Sequence, residues 1–354
     1  MSPMVQIPSR RPRLGASLTL LVLLNLLTLL VVGCGPREQT VALAGSTMGT
    51  SWSVQIPHPD PDLDQVSLYE DIAAVLAELN ARMSTYDPDS ELSRFNADGT
   101  TEWFPVSVEL VRLVDQALAV SRLTDGAFDV TVGPLVNLWG FGPEAHPDAI
   151  PPQAEIDAAR ARVGWHLLHV RDEPPALSKD RPDVYVDLSA IAKGHGVDRV
   201  AELLEAKGLD DYLVEIGGEL RGRGLNAEGA PWRIAIERPD PGRRAPLRVV
   251  ALKDHGMATS GDYRNFFEVA GKRYSHSIDP ATGRPVDHQL ASVTVVGERC
   301  GEADAWATAF LVLGPERGVA LANELGLAAL FVERLGGELR ITESTAFARV
   351  AGGD

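Results

Sequence analysis

Chemistry concentrates between Gly271 and Thr308. The stretch Ser275-His276-Ser277-Ile278-Asp279-Pro280-Ala281-Thr282-Gly283-Arg284-Pro285 sets a histidine, an aspartate and a threonine on one loop. Asp-Pro and Gly-Arg-Pro are turn signals, so that loop is tight and constrained. Downstream, the run Glu302 to Phe310 is rich in helix formers, and Gly314-Pro315 closes it. On a helix, Asp304 and Thr308 lie four residues apart and share a face. That face carries a carboxylate and a hydroxyl in an otherwise apolar segment, and a buried aspartate needs hydrogen-bond donors or a cation. The same spacing equally serves an aspartate that caps its own helix and a threonine bonded to its own backbone.

Three further stretches have chemical potential. Ser189-Ala190-Ile191-Ala192-Lys193-Gly194 lies between an expected strand, Val184 to Leu188, and an expected helix running to about Lys207. Such a turn binds anions through its amides, although the spacing of a Walker loop is absent. Gly45-Ser46-Thr47-Met48-Gly49 reads as a flexible loop that can approach a phosphate, or as an ordinary turn before a strand over Ser51–Ile56. The glycines and aromatics of Thr124 to Gly142 suit either a wall around a flat ring system or a turn packed on the core.

The elements that must position these residues alternate irregularly. Helical periodicity covers Leu68 to Met83, with Leu76, Leu79 and Met83 on one stripe. Ser84 to Asn96 reads as a polar loop. Further helices are expected over about Val106–Leu123 and Gln153–Val163, separated by a Pro-rich surface loop from Pro143 to Pro152. Strands are expected at Tyr212–Ile216, Trp232–Glu237, Leu247–Leu252, Gly256–Ser260 and Leu290–Val296. Helices early and strands late imply an α+β fold, a mixed or antiparallel sheet with flanking helices.

The chain has 354 residues and a net charge of −16, which argues against a nucleic-acid partner. Arg10, Arg11 and Arg13 precede an apolar run from Leu14 to Val32 that ends at Gly33-Cys34. This is a secretory signal, excluded from the fold. A small residue directly before cysteine resembles the bacterial lipobox, which implies cleavage before Cys34 and lipid attachment to it. An uncleaved membrane anchor is the alternative. Ser9-Arg10-Arg11 is also a weak twin-arginine match. The expected organisation is a signal over residues 1–33, a linker over 34–40 and one domain over 41–354. That domain would face the periplasm from a bacterial membrane. The remaining cysteine, Cys300, then has no disulfide partner and is expected at a strand end as a small apolar residue.

Taken together, Thr47-Met48-Gly49-Thr50, Met83-Ser84-Thr85-Tyr86, Thr124 to Pro143, Val186 to Gly194, Gly217-Gly218, Thr259-Ser260-Gly261, Ser275 to Pro285 and Ala303 to Thr308 resemble the ApbE-type flavin transferases. The resemblance spans about residues 41–335. It implies an ApbE-like fold and an enzyme that breaks the pyrophosphate of FAD and transfers FMN to a Ser or Thr hydroxyl. The acceptor would be a redox membrane protein, AMP would leave, and Mg²⁺ would be required. By the same resemblance, Asp304, Thr308 and the backbone carbonyl of Ala190 would hold the metal. His276 would be the general base for the acceptor hydroxyl. Met48, Tyr86, Ala127, Phe128, Asp129, Asp187, Lys193 and Ile278 would line the FAD site. Two other readings use the same residues: a flavin pyrophosphatase that gives FMN and AMP, and a non-catalytic flavin-binding lipoprotein.

Overall fold

The computed structural model describes residues 40–143, 149–240, 245–263 and 265–351. Cys34 and the signal segment lie outside the described residues. Strand β1 (Thr40–Thr47) turns through Met48-Gly49 into β2 (Thr50–Pro57). Both turn residues have positive φ, 48° and 71°, as a two-residue hairpin requires. The expected loop over Gly45–Gly49 is therefore wrong at its start: Gly45 to Thr47 are ladder residues, and only Met48 and Gly49 turn.

Helix α1 (Gln65–Met83) is capped by Asp64 and buries Leu68, Ile72, Leu76, Leu79 and Met83 at helical spacing. The segment expected as a polar loop contains α2 (Glu91–Ala97), because Ser90 accepts the Ser93 amide and starts a helix that buries Leu92 and Phe95. Next come β3 (Phe104–Pro105) and α3 (Val108–Leu123), whose cap, Ser107, delays its start by two residues. Then follow α4 (Gly133–Leu138), α5 (Gln153–Arg160), β4 (Leu168–Arg171) and β5 (Ala176–Lys179).

Val184 to Leu188 is not a strand. Its backbone groups go elsewhere: Val186 exchanges two 2.8 Å hydrogen bonds with the Asn96 side chain, and the Asp187 amide donates to the Val130 carbonyl at 2.7 Å. β-branched residues made the segment look like a strand, but among the described residues no strand pairs with it.

Helix α6 (Ala192–Ala206) leads to β6 (Tyr212–Ile216) and β7 (Glu219–Arg223). Four hairpin strands and the next sheet strand follow: β8 (Trp232–Glu237), β9 (Pro246–Leu252), β10 (His255–Gly261), β11 (Phe266–Val269) and β12 (Lys272–Ser275). The short pair β13 (Ile278–Asp279) and β14 (Arg284–Pro285) precedes β15 (Leu290–Gly297). Helix α7 (Cys300–Leu325) is two helical segments that meet at Gly314, where the Gly-Pro pair was expected to close the first. That residue kinks it at φ 78°, and Pro315 opens a second helical segment, where a missing amide costs nothing. The chain closes with β16 (Ala328–Leu335), β17 (Glu338–Glu343) and α8 (Thr345–Ala351).

Eight strands form one sheet in the order β1-β2-β6-β7-β10-β15-β16-β17, and every pairing in it is antiparallel. Helices α1, α3, α6 and α7 share the main core on one face, where Val293, Val295, Ala329 and Phe331 point. The β8–β9 hairpin and α8 cover the other face over Val296, Leu330 and Val332. Burial on both faces explains why β15 is predominantly apolar, with only the small polar residues Ser292 and Thr294 among its buried positions.

Candidate active site

Every residue that the family resemblance assigned to the catalytic, metal or FAD site lines one cavity of about 800 Å³. Met48 and Tyr86 come from the first hairpin turn and the end of α1. Ala127, Phe128 and Asp129 follow α3. Asp187, Ala190 and Lys193 arrive on the irregular segment into α6. His276 sits on the loop between β12 and β13, Ile278 opens β13, and Asp304 and Thr308 are on α7.

The floor is set by two helix N-termini that cap each other. Asp198 of α6 accepts the amides of Cys300 and Gly301, each at 3.0 Å, at the start of α7. In return, Asp304 of α7 accepts the Gly194 amide of α6 at 3.1 Å. Asp304 thus caps a helix, but not its own, and it is 2% exposed. Burial pushes its carboxyl above the usual range, against the Lys193 charge and the Gly194 amide. The turn expected to bind an outside anion already holds one, this carboxylate. Cys300 is the fully buried first residue of α7 rather than a strand end, because the helix starts at once after β15.

Gly194 is the third residue of α6, so its amide has no partner within the helix, and Asp304 supplies one. Thr308 Oγ1 meets Ser260 Oγ at 3.0 Å across the cavity wall rather than its own backbone. Among the described residues no three His, Cys, Asp or Glu side chains converge as a metal cage. The candidate donors are instead one carboxylate, one hydroxyl and one carbonyl. That sparse oxygen set suits Mg²⁺, which takes the rest of its shell from water and substrate phosphates.

Lys193 Nζ lies 2.6 Å from Glu219 and 3.8 Å from Asp304. Burial alone would favour the neutral amine, but the two carboxylates outweigh it and hold the ammonium charged. Glu219, 4% exposed, is pushed up by burial and by the Asp304 charge, with Lys193 opposing. Across the cavity, His276 Nδ1 faces the Asn265 carbonyl at 3.2 Å. A carbonyl can only accept, so Nδ1 carries the proton and Nε2 keeps its lone pair. Burial, joined by the Lys193 charge, holds the imidazole below its ordinary value against that hydrogen bond, so it is neutral at neutral pH.

The other expected contacts differ in how free they are. Both Asp129 oxygens are already used, Oδ1 by the Thr131 amide and hydroxyl and Oδ2 by the Trp165 amide at 2.9 Å. Its carboxylate ties the Phe128 turn to the next segment. Asp187 Oδ1 accepts from the Ser189 amide and hydroxyl. Tyr86 is 69% exposed on the rim of the cavity. Asp187 and Ala190 owe their place to a clamp: Lys179, 1% exposed, donates to the carbonyls of Phe95, Asn96 and Val184 at 3.2–3.4 Å. Sequence reading missed Asp198, Lys179 and Glu219. For Glu219 there was a signal, an acid placed directly after Gly217-Gly218 at the head of a strand.

Known proteins share this arrangement of segments. The ApbE family profile matches residues 48–331. A Vibrio cholerae protein named FAD:protein FMN transferase is 49% identical over 304 residues, 86% of this chain and 90% of its own length. An Escherichia coli K12 protein of the same name is 44% identical over 329 residues, 90% and 93% of the two chains. The solved flavin transferase ApbE from Vibrio cholerae superimposes with a TM-score of 0.83 at 45% identity, over 89% of this chain and all of that one. The apo flavinyl transferase ApbE of Pseudomonas stutzeri gives 0.82 at 41% identity, over 90% and 98%.

Proposed function

This chain belongs to the ApbE family, and on that premise we propose that it transfers FMN from FAD to a Ser or Thr hydroxyl of an acceptor protein. One observation supports this most: a single cavity holds a half-buried lysine paired with two buried carboxylates, together with a neutral imidazole. Its volume of about 800 Å³ falls among ligand cavities of roughly 300–1,000 Å³.

In the reaction, the acceptor oxygen bonds to the FMN-side phosphorus of FAD. The bond from that phosphorus to the bridging oxygen breaks, and AMP leaves with the bridging oxygen. The hydroxyl proton passes to Nε2 of His276, whose Nδ1–H stays on Asn265 and keeps the ring oriented. Lys193 places a fixed positive charge beside the pyrophosphate. Met48, Ala127, Phe128 and Ile278 give apolar walls for the rings, and Tyr86 gives a stacking face at the rim. Asp304, Thr308 and the Ala190 carbonyl are the proposed Mg²⁺ donors; the ion, when bound, neutralises and orients the pyrophosphate.

Incubation with FAD, Mg²⁺ and a redox membrane protein as acceptor should add the mass of FMN less one water to the acceptor and release one AMP per adduct. AMP without an adduct would make the protein a pyrophosphatase. Tightly held flavin with no AMP would make it a binding protein. We also propose that Cys34 carries a lipid that anchors this domain to a membrane on the periplasmic side, on the strength of the basic start, the apolar run and Gly33-Cys34.

A further inference from the structure

We propose that Glu219 is a further oxygen donor of the cation site, and this rests on the metal placement proposed above. Glu219 opens β7 directly after the Gly217-Gly218 turn, and it lines the same cavity as Asp304, Thr308 and Ala190. Its two oxygens are in different situations. Oε1 is 2.6 Å from Lys193 Nζ. Oε2 is buried and has no hydrogen-bond partner among the described residues. A buried carboxylate oxygen without a donor costs free energy, so a residue 4% exposed in that state marks a place completed by a ligand.

The chemistry of that ligand follows from the charges. Asp304 reaches the same Nζ at 3.8 Å, so two buried carboxylates share one ammonium. With both carboxyls ionised, the surplus there is negative. A neutral donor would satisfy Oε2 but leave the surplus; a divalent cation answers both. Lys193 therefore serves two carboxylates in the free protein, and with a cation on the carboxylates its charge is released toward the substrate pyrophosphate.

The test is direct cation binding, with Mn²⁺ as the probe and the loss of its free EPR signal as the readout, on FAD-free protein. Glu219→Gln keeps the side-chain volume and should weaken Mn²⁺ binding at least roughly 10- to 100-fold, the range for groups that only support a metal's ligands. Its thermal midpoint without metal should not fall, since a buried charge is removed. Glu219→Asp, which keeps the charge on a shorter reach, should bind at an intermediate strength and serves if the Gln variant fails to fold. If Glu219→Gln binds Mn²⁺ like the wild type and only raises the KM for FAD, Glu219 merely holds Lys193 and the proposal is overturned. Asp304→Asn is the control. If it too leaves Mn²⁺ binding unchanged, the cation site itself is misplaced and this inference falls with it.

Discussion

Replacing Gly194 by alanine sets two physical arguments against each other. From sequence alone, Gly→Ala inside α6 should stabilise, because alanine is the better helix former by about 1 kcal/mol. In the folded protein, a Cβ at position 194 would lie 2.4 Å from the Cys300 carbonyl oxygen, 2.7 Å from its carbon and 2.8 Å from the Gly301 Cα. All three atoms are backbone, so no side chain can swing aside. Overpacking of a tight interior costs about 1–3 kcal/mol, and a rigid neighbour puts this site at the upper end. Setting the propensity gain against that leaves a net loss of roughly 2 kcal/mol. The only relief is to separate α6 from α7. That would stretch the Gly194–Asp304 hydrogen bond, now 3.1 Å, and shift Asp304 away from Ala190. Urea unfolding should show a lower midpoint with an unchanged slope, and Mn²⁺ titration should show weaker binding. A midpoint equal to or above the wild type would refute the claim that this contact sets the spacing of the site.

The remaining expectations concern the site and the anchor. Asp304→Ala should abolish Mg²⁺-dependent transfer, and Thr308→Val should weaken metal binding less, because it removes one neutral oxygen; both are read by AMP release across a Mg²⁺ series. His276→Ala should reduce transfer by about 10²- to 10⁴-fold while FAD binding, followed by flavin fluorescence, persists. Because His276 is held below its ordinary value, the unfolded chain takes up that proton first as pH falls. Its contribution to stability is therefore complete above about pH 6.5 and declines below it, and the acid limb of the rate profile should also lie below about pH 6.5. FAD should bind more tightly than FMN, since the adenine half adds contacts, and equal affinities by fluorescence titration would count against this. Cys34→Ala should leave an unlipidated precursor with a fully active soluble domain; an intact Met1 in the native membrane protein would refute cleavage.

The sequence by itself determined whatever depends on neighbours along the chain. The stripe of Leu76, Leu79 and Met83, the strand Tyr212–Ile216 and the shared face of Asp304 and Thr308 are all read from local periodicity, and the fold keeps each of them. The α+β class was legible for the same reason, whereas the set of segments that converge on the cavity was legible only through their joint resemblance to a known family. Tertiary structure alone decided what those segments touch. Val184–Leu188 has a strand's composition but pairs with the Asn96 side chain, 90 residues away. Asp304 could have capped its own helix; it caps α6 because its partner amide, 110 residues distant, comes within 3.1 Å. Glu219 looked like the end of a turn, and only burial against Lys193 and Asp304 makes it part of the site. The physical reason is common to these cases. Spacing along a chain fixes which face a side chain occupies. The charge and hydrogen-bond partners it meets there depend on elements brought together from distant positions by burying the faces of the sheet.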